Sequence, residues 1–148
     1  MSDRRLRLCM LLLGVCFCSA AGAIDYKSAA SPAVLYDGPS DKSRPMYILA
    51  RGTPVELVVA VEKWAKVRDQ AGEILWIERR LLSDKRTVIV TVPTVQVRAE
   101  ARESASVVFE AVKDVVLEWQ ESSPPGWVKV RHADGQGGFV RINQVWGG

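Results

Sequence analysis

Trp64-Ala65-Lys66-Val67-Arg68 returns as Trp127-Val128-Lys129-Val130-Arg131 within a chain of 148 residues, and a motif written twice one small-domain length apart marks an internal duplication. Outward from that motif, a shift of 62 positions pairs Leu35-Tyr36 with Val97-Arg98, Tyr47 with Phe109, and Val55-Glu56-Leu57 with Leu117-Glu118-Trp119. One added residue in Glu121-Ser122-Ser123-Pro124-Pro125-Gly126 then brings Trp64 onto Trp127. Pro and Gly interrupt any ladder there, so an insertion is tolerated. Beyond it the register holds at 63, aligning Gly72 with Gly135, Trp76-Ile77 with Phe139-Val140, and Leu82 with Val145.

The period inside each copy is two. Val55, Leu57 and Val59 alternate with Glu56 and Val58, while Val128 and Val130 alternate with Trp127, Lys129 and Arg131, the pattern of strands with one buried face. Asp134-Gly135 sits between Val128 to His132 and Gly138 to Ile142 as a hairpin turn, and Gln70-Ala71-Gly72 occupies the same place between Ala65 to Arg68 and Ile74 to Ile77. No stretch after the leader keeps apolar residues at a 3.6-residue spacing over three turns; Ala101 to Val112 comes nearest, with misplaced polar residues and β-branched neighbours. The expectation is an all-β protein of short strands, with one helical turn near the end of each copy.

Residues 1–23 have the layout of a secretory signal peptide: Arg4, Arg5 and Arg7, an apolar run from Leu8 to Phe17, and the small triplet Ala21-Gly22-Ala23. Cleavage is expected after Ala23, leaving no stable membrane insertion; the alternative is an uncleaved anchor, for which the apolar run is short. A lipid-attachment signal at Cys16 or Cys18 is a poor fit, because Val15 precedes Cys16 where a small residue is preferred. Cys9, Cys16 and Cys18 all fall in the leader, so an exported chain would carry neither a disulfide nor a cysteine nucleophile. About 60 residues per copy is near the lower limit for a domain held by core burial alone, which favours packing of the copies against each other. Losing the leader also lowers the formal charge from +3 to +1, and the remaining cations interleave with acids. Nucleic acid is therefore not an expected partner.

These residues resemble the bacterial SH3 family, whose copies run through an R-x-G-P-S turn, a K-G-x-x-V segment and G-W-x-K-V-R...G-x-x-G-[WF]-[VI]. The first copy keeps Gly38-Pro39-Ser40, Arg51-Gly52-Thr53-Pro54-Val55, Trp64 to Arg68, Gly72 and Trp76-Ile77. The second keeps Val97-Arg98, Gly126 to Arg131, Asp134-Gly135 and Gly138-Phe139-Val140. Tyr36 stands where Arg is usual, and Ala99-Glu100-Ala101 replaces the Gly-Pro-Ser turn. The resemblance implies two tandem SH3-like, five-stranded, partly open barrels over residues 24–86 and 87–148, the second opening on Val88 to Val92. Ser83-Asp84-Lys85-Arg86 is the short linker, so the barrels should lie close together.

Strand alternation sets Trp64, Lys66 and Arg68 opposite Ala65 and Val67, and Trp127, Lys129 and Arg131 opposite Val128 and Val130. Each indole then either lids its barrel or packs between copies, or else forms a platform for an extended peptide or a sugar. Resemblance to SH3 folds groups Tyr36, Trp64 and Trp76 in one shallow groove suited to an extended or polyproline-type segment. In the second copy Trp127 and Phe139 remain, with Arg98 in place of the tyrosine. The candidate ligand-groove residues are thus Tyr36, Trp64, Lys66, Arg68, Trp76, Trp127, Lys129 and Phe139. His132, the sole histidine, is expected exposed beside a turn, with no partner for a metal or a proton relay. Trp119 is expected in the core, and Trp146 at the close of the second barrel or between barrels. Arg79-Arg80 and Lys85-Arg86 form either a basic patch or a solvated surface.

Bacterial SH3 copies are often attached to cell-wall hydrolases, whose chemistry resides in a separate domain with a Cys and His pair or zinc ligands. No such set accompanies the repeat, so neither catalysis, a cofactor nor a metal is expected. The leading expectation is a periplasmic, or alternatively secreted, binding module for peptidoglycan stem peptides or envelope-protein segments. The alternative is a structural or assembly protein whose aromatics contact a second copy or a partner; oligomeric state is not fixed by the sequence.

Overall fold

A computed structural model of the protein describes residues 22–148; apart from Gly22 and Ala23, the expected leader lies outside the described residues. The first copy comprises β1 (Tyr26–Ala29), β2 (Ala33–Tyr36), β3 (Pro45–Leu49), β4 (Pro54–Val61), β5 (Trp64–Arg68), β6 (Ile74–Glu78) and β7 (Leu82–Ser83). The second comprises β8 (Thr87–Val90), β9 (Thr94–Arg98), β10 (Val107–Val112), β11 (Val116–Ser122), β12 (Trp127–Arg131), β13 (Gly137–Arg141) and β14 (Val145–Trp146). Each set makes one antiparallel sheet, ordered β3-β2-β6-β5-β4-β1-β7 and, in the same relative order, β10-β9-β13-β12-β11-β8-β14. The end strands do not pair with each other, so neither unit is a closed barrel. The helical turn expected near the end of each copy is a short 3-10 segment, Arg79–Leu81 and Ile142–Gln144.

Seven strands stand where five were expected per copy. Pro32 and Pro93 each lie in the break after the opening strand, and a residue without an N–H cannot continue the ladder. Val88 to Val92 is accordingly cut short, β8 ending at Val90. The closing strands β7 and β14 have two residues each, too few to leave an alternation in the sequence.

The duplication extends to irregularities of the ladder. Register breaks fall between Leu57 and Val59 on β4 and between Trp119 and Glu121 on β11, and again beside β3 and β10. Past its bulge β4 loses the inside-outside alternation, so Val58, Val59 and Val61 are all exposed, unlike the Val55, Leu57, Val59 pattern expected of a regular strand. In β5, by contrast, Ala65 and Val67 are buried between half-buried Trp64, Lys66 and Arg68.

Each copy has its own core. Leu35, Val55, Ala65, Val67 and Ile77 centre the first, and Val88, Val95, Val97, Leu117, Val130 and Val140 the second. Each fully buried Val, Leu or Ile contributes about 1.5–3 kcal/mol by leaving water.

The copies nevertheless sit against each other. The Thr87 hydroxyl, on β8, donates to the Gly52 carbonyl at 2.6 Å, and Gln70 Nε2 donates to Asp114 Oδ1 at 3.3 Å. Tyr26 and Trp146 meet edge to face with centroids 5.3 Å apart. The linker is tied on both sides: Ser28 Oγ donates to Lys85 O at 2.6 Å, Lys27 holds Asp84 at 2.7 Å, and Lys85 holds Glu118 at 2.9 Å. The close approach expected from a short linker is thus what the structure has.

Candidate functional site

The outer face of β2, β6 and β5 assembles the first-copy aromatics. Tyr36 lies opposite Trp76 across β2 and β6, Lys66 opposite Trp76 across β5 and β6, and Trp64 opposite Glu78. Alternation fixes their direction, because Leu35, Ala65, Val67 and Ile77 occupy the inward positions between them. Tyr36 and Trp64 meet edge to face, with centroids 5.5 Å apart and planes at 89°. The Lys66 ammonium stands 5.2 Å from the Trp76 ring centroid. All four side chains are half-buried, leaving part of each aromatic ring to solvent. Arg68 is on the same face but turned to Glu56, at 2.9 Å. The structure therefore unites Tyr36, Trp64, Lys66 and Trp76 and places Arg68 in an ion pair at the margin.

The turns hold this face in position. Lys63 O accepts the Arg79 N–H at 2.8 Å, joining the start of β5 to the end of β6. At the opposite end, Asp69 Oδ1 accepts the N–H groups of Ala71 and Glu73 at 2.9 Å each. Its second oxygen accepts the hydroxyl of Tyr47, which ties the sheet-edge strand β3 to the β5–β6 turn. Burial, with the Asp69 carboxylate next, pushes the Tyr47 phenol well above its ordinary value.

The second copy repeats the positions with different chemistry. Arg98 and Lys129 lie opposite Phe139, and Trp127 lies opposite Arg141. Trp127 is only 7% exposed, and its ring lies outside the main cluster of the second core, beneath the Arg141 guanidinium 4.4 Å from the ring centroid. Arg141 is itself held by Glu103, with Nε and Nη2 at 2.7 and 2.6 Å from Oε1. Lys129 is 6.0 Å from the Phe139 centroid, and Arg131 pairs with Glu118 at 3.0 Å. Sequence reasoning singled out Trp127, Lys129 and Phe139 but missed Arg141 and Glu103. The 63-residue register carried the signal, since it sets Arg141 where the first copy has Glu78.

Other sequence candidates occupy structural positions. His132 is half-buried rather than exposed, with its ring tilted against Phe109 at 5.9 Å and Nδ1 3.1 Å from Asp134. Trp119 borders the second core beneath Arg86, 4.1 Å from its centroid, and Trp146 lies at the contact between copies. The second cationic pair is thereby engaged, Lys85 by Glu118 and Arg86 by Trp119, while Arg80 pairs with Glu78 at 2.7 Å. Among the described residues no group of three or more His, Cys, Asp and Glu is placed to hold a metal ion.

Two half-open, seven-stranded units with the same strand order and matching register breaks define a tandem small-barrel module. The sequence matches the bacterial SH3 domain over residues 29–84 and again over 91–147, and the chain belongs to that family. Solved structures similar to it include NlpC1 and NlpC2 from Trichomonas vaginalis, both at 15% identity with TM-scores of 0.39 and 0.38. The aligned regions cover 86% and 84% of this chain and 47% and 48% of theirs. An NlpC/P60 family protein from Bacillus cereus ATCC 10987 is similar at 16% identity and a TM-score of 0.37, over 82% of this chain and 55% of that one. The chain thus spans about half the length of each, and similarity at this level says nothing about activity. No curated protein matches the sequence.

Proposed function

We propose that the protein is an exported, non-catalytic binding module of the cell envelope, acting in the periplasm, whose first copy lays an extended peptide across Tyr36, Trp64 and Trp76. The ligand class is a peptidoglycan stem peptide or an extended segment of an envelope protein. The observation that carries this reading is the convergence of three partly exposed rings and the Lys66 ammonium on one sheet face, over a core that keeps them in place. Rings supply area at low entropic loss, and the ammonium meets a peptide carboxylate.

Cosedimentation with purified sacculi, alongside pulldown from an envelope extract, tests it. Trp64→Ala should weaken capture about tenfold, as loss of a central aromatic anchor does, while the circular-dichroism spectrum and monomer mass stay those of the parent. Capture undiminished by both Trp64→Ala and Trp76→Ala removes the first-copy face from the mechanism. A second reading, an assembly contact, draws on the apolar edge of the same copy, where Met46 is 43% and Ile48 67% exposed on β3. A stable dimer in solution without affinity for wall or envelope protein would favour that reading.

A further inference from the structure

The two copies present the same five positions with different charge, neutral in sum in the first and cationic in the second. Tyr36, Trp64, Lys66, Trp76 and Glu78 in the first become Arg98, Trp127, Lys129, Phe139 and Arg141 in the second, so one cation and one anion become three cations. Two of the three are held from behind by groups that carry no charge. Arg98 donates through Nη1 to the Ala105 carbonyl at 2.8 Å and through Nη2 to Gln96 Oε1 at 2.7 Å, and its side chain is 18% exposed. The Arg141 guanidinium stands over Trp127, 4.4 Å from the ring centroid. Glu103 reaches in from the loop between β9 and β10, a loop longer than a hairpin turn needs. One of its oxygens accepts from Arg141 at 2.6 and 2.7 Å, and the other lies 3.9 Å from Arg98. That glutamate is 63% exposed, so it is seated on the arginines without being enclosed. The cleft around them, about 380 Å³, is continued by Thr94, Gln96 and Glu110.

We infer that the second copy is a carboxylate-binding site, in which Arg98 and Arg141 over Trp127 take the terminal or side-chain carboxylate of a peptide and Glu103 occupies the place until that ligand displaces it. Planar guanidinium groups fixed by a carbonyl and an indole are preorganised for a planar anion, and the exposed loop glutamate already has the geometry of the ligand's charged end. Displacement exchanges one carboxylate for another, so Arg98 and Arg141 never lie unpaired beside the buried indole. The site does not depend on the first-copy aromatic face, from which it shares no residue.

Titration of the full chain, followed by the indole N–H resonance of Trp127, tests this with N-acetyl-alanyl-alanine as the carboxylate probe and its C-terminal amide as the control. The free acid should shift the resonance saturably and the amide should not. Glu103→Gln should tighten binding of the acid by up to about fivefold, the factor an exposed ion pair is worth. Arg141→Gln should abolish the shift, and Arg98→Gln should weaken it. Should Arg141→Gln disturb the fold, the Glu103→Gln comparison decides, because it leaves both arginines in place. Equal shifts with acid and amide, no saturable shift, or weaker binding in Glu103→Gln would overturn the site. Trp64→Ala leaves this titration unchanged and sacculus capture is scored separately, so the two ideas fail independently.

Discussion

Asp69 illustrates how much one side chain organises. Its carboxylate closes the β5–β6 turn through two backbone N–H groups and accepts the Tyr47 hydroxyl from β3. In the second copy the equivalent ring is Phe109, packed on His132 without a hydroxyl, so the ring alone fills the position and the phenol adds a tether. Tyr47→Phe should therefore lose about 1–2 kcal/mol, measured by denaturant unfolding at neutral pH, because the lost bond had a charged acceptor. The tyrosine pKa is raised on folding, so its contribution is complete below the ordinary value of 10.0 and declines as pH rises above it. The stability gap between parent and Tyr47→Phe should accordingly narrow above about pH 10. Neither Tyr47 nor Asp69 stood out as functional in sequence, since a hydroxyl-to-carboxylate tether between strands distant in the chain leaves no local pattern. The aromatic cluster was easier to read, because alternation puts Trp64 on the outward face before any pairing is known, and the resemblance to SH3 folds groups Tyr36 and Trp76 with it. Arg141 was harder: its importance comes from lying across the ladder from Trp127, a relation of register rather than of neighbourhood.

At the scale of the element, β13 shows why equivalent strands in the two copies have unlike residues. Leu75 on β6 faces the first core, whereas the aligned Gly138 on β13 runs so close to β9 that an added Cβ would land on the Arg98 carbonyl oxygen and 2.9 Å from Val97 Cγ1. Backbone occupies the space a side chain has in the first copy. Gly138→Ala should cost about 1–3 kcal/mol through overpacking and displace Arg98, visible as a lowered unfolding midpoint with the first-copy indole resonances unmoved. Strands with intact alternation, β5, β12 and their hairpin partners, were legible from the sequence, and so were both hairpin turns, where Gly72 and Gly135 adopt φ of 87° and 95°. The second half of β4 was not, because the bulge inserts a residue and exposes a valine expected on the inner face. Two-residue β7 and β14 are recognisable only from their partners β1 and β8.

For the whole molecule, two cores too small to be strongly stable alone share a polar and aromatic seam. Glu118 belongs to it: the Lys85 ammonium first, and Arg131 after it, hold its carboxyl below the usual 4.5. A carboxylate depressed on folding stabilises above its unfolded value and loses that contribution as pH falls through the folded one. Glu118→Gln should thus be less stable than the parent at neutral pH, with the difference shrinking as pH falls below the ordinary value of 4.5, as followed by thermal melts at a series of acidic pH values. The seam is tightest at its aromatic end. Gly147, buried beside Trp146, has so little room that an added Cβ would come 2.7 Å from Pro54 Cβ in the first copy and 2.7 Å from the Thr87 carbonyl oxygen in the second. Pro54 is itself fully buried, so this glycine is where the second copy's last strand rests on the first copy's core margin. With Tyr26 on Trp146 and Thr87 on Gly52 at either side, opening one copy exposes surface of the other, and the pair should unfold as one cooperative unit. Calorimetry of the parent should give a single transition whose calorimetric and van't Hoff enthalpies agree. Trp146→Ala removes the ring that joins the copies and should cost about 2 kcal/mol, resolving the transition into two. Gly147→Ala should do the same by wedging rather than by deletion, since an added Cβ there meets Pro54 of one copy and Thr87 of the other.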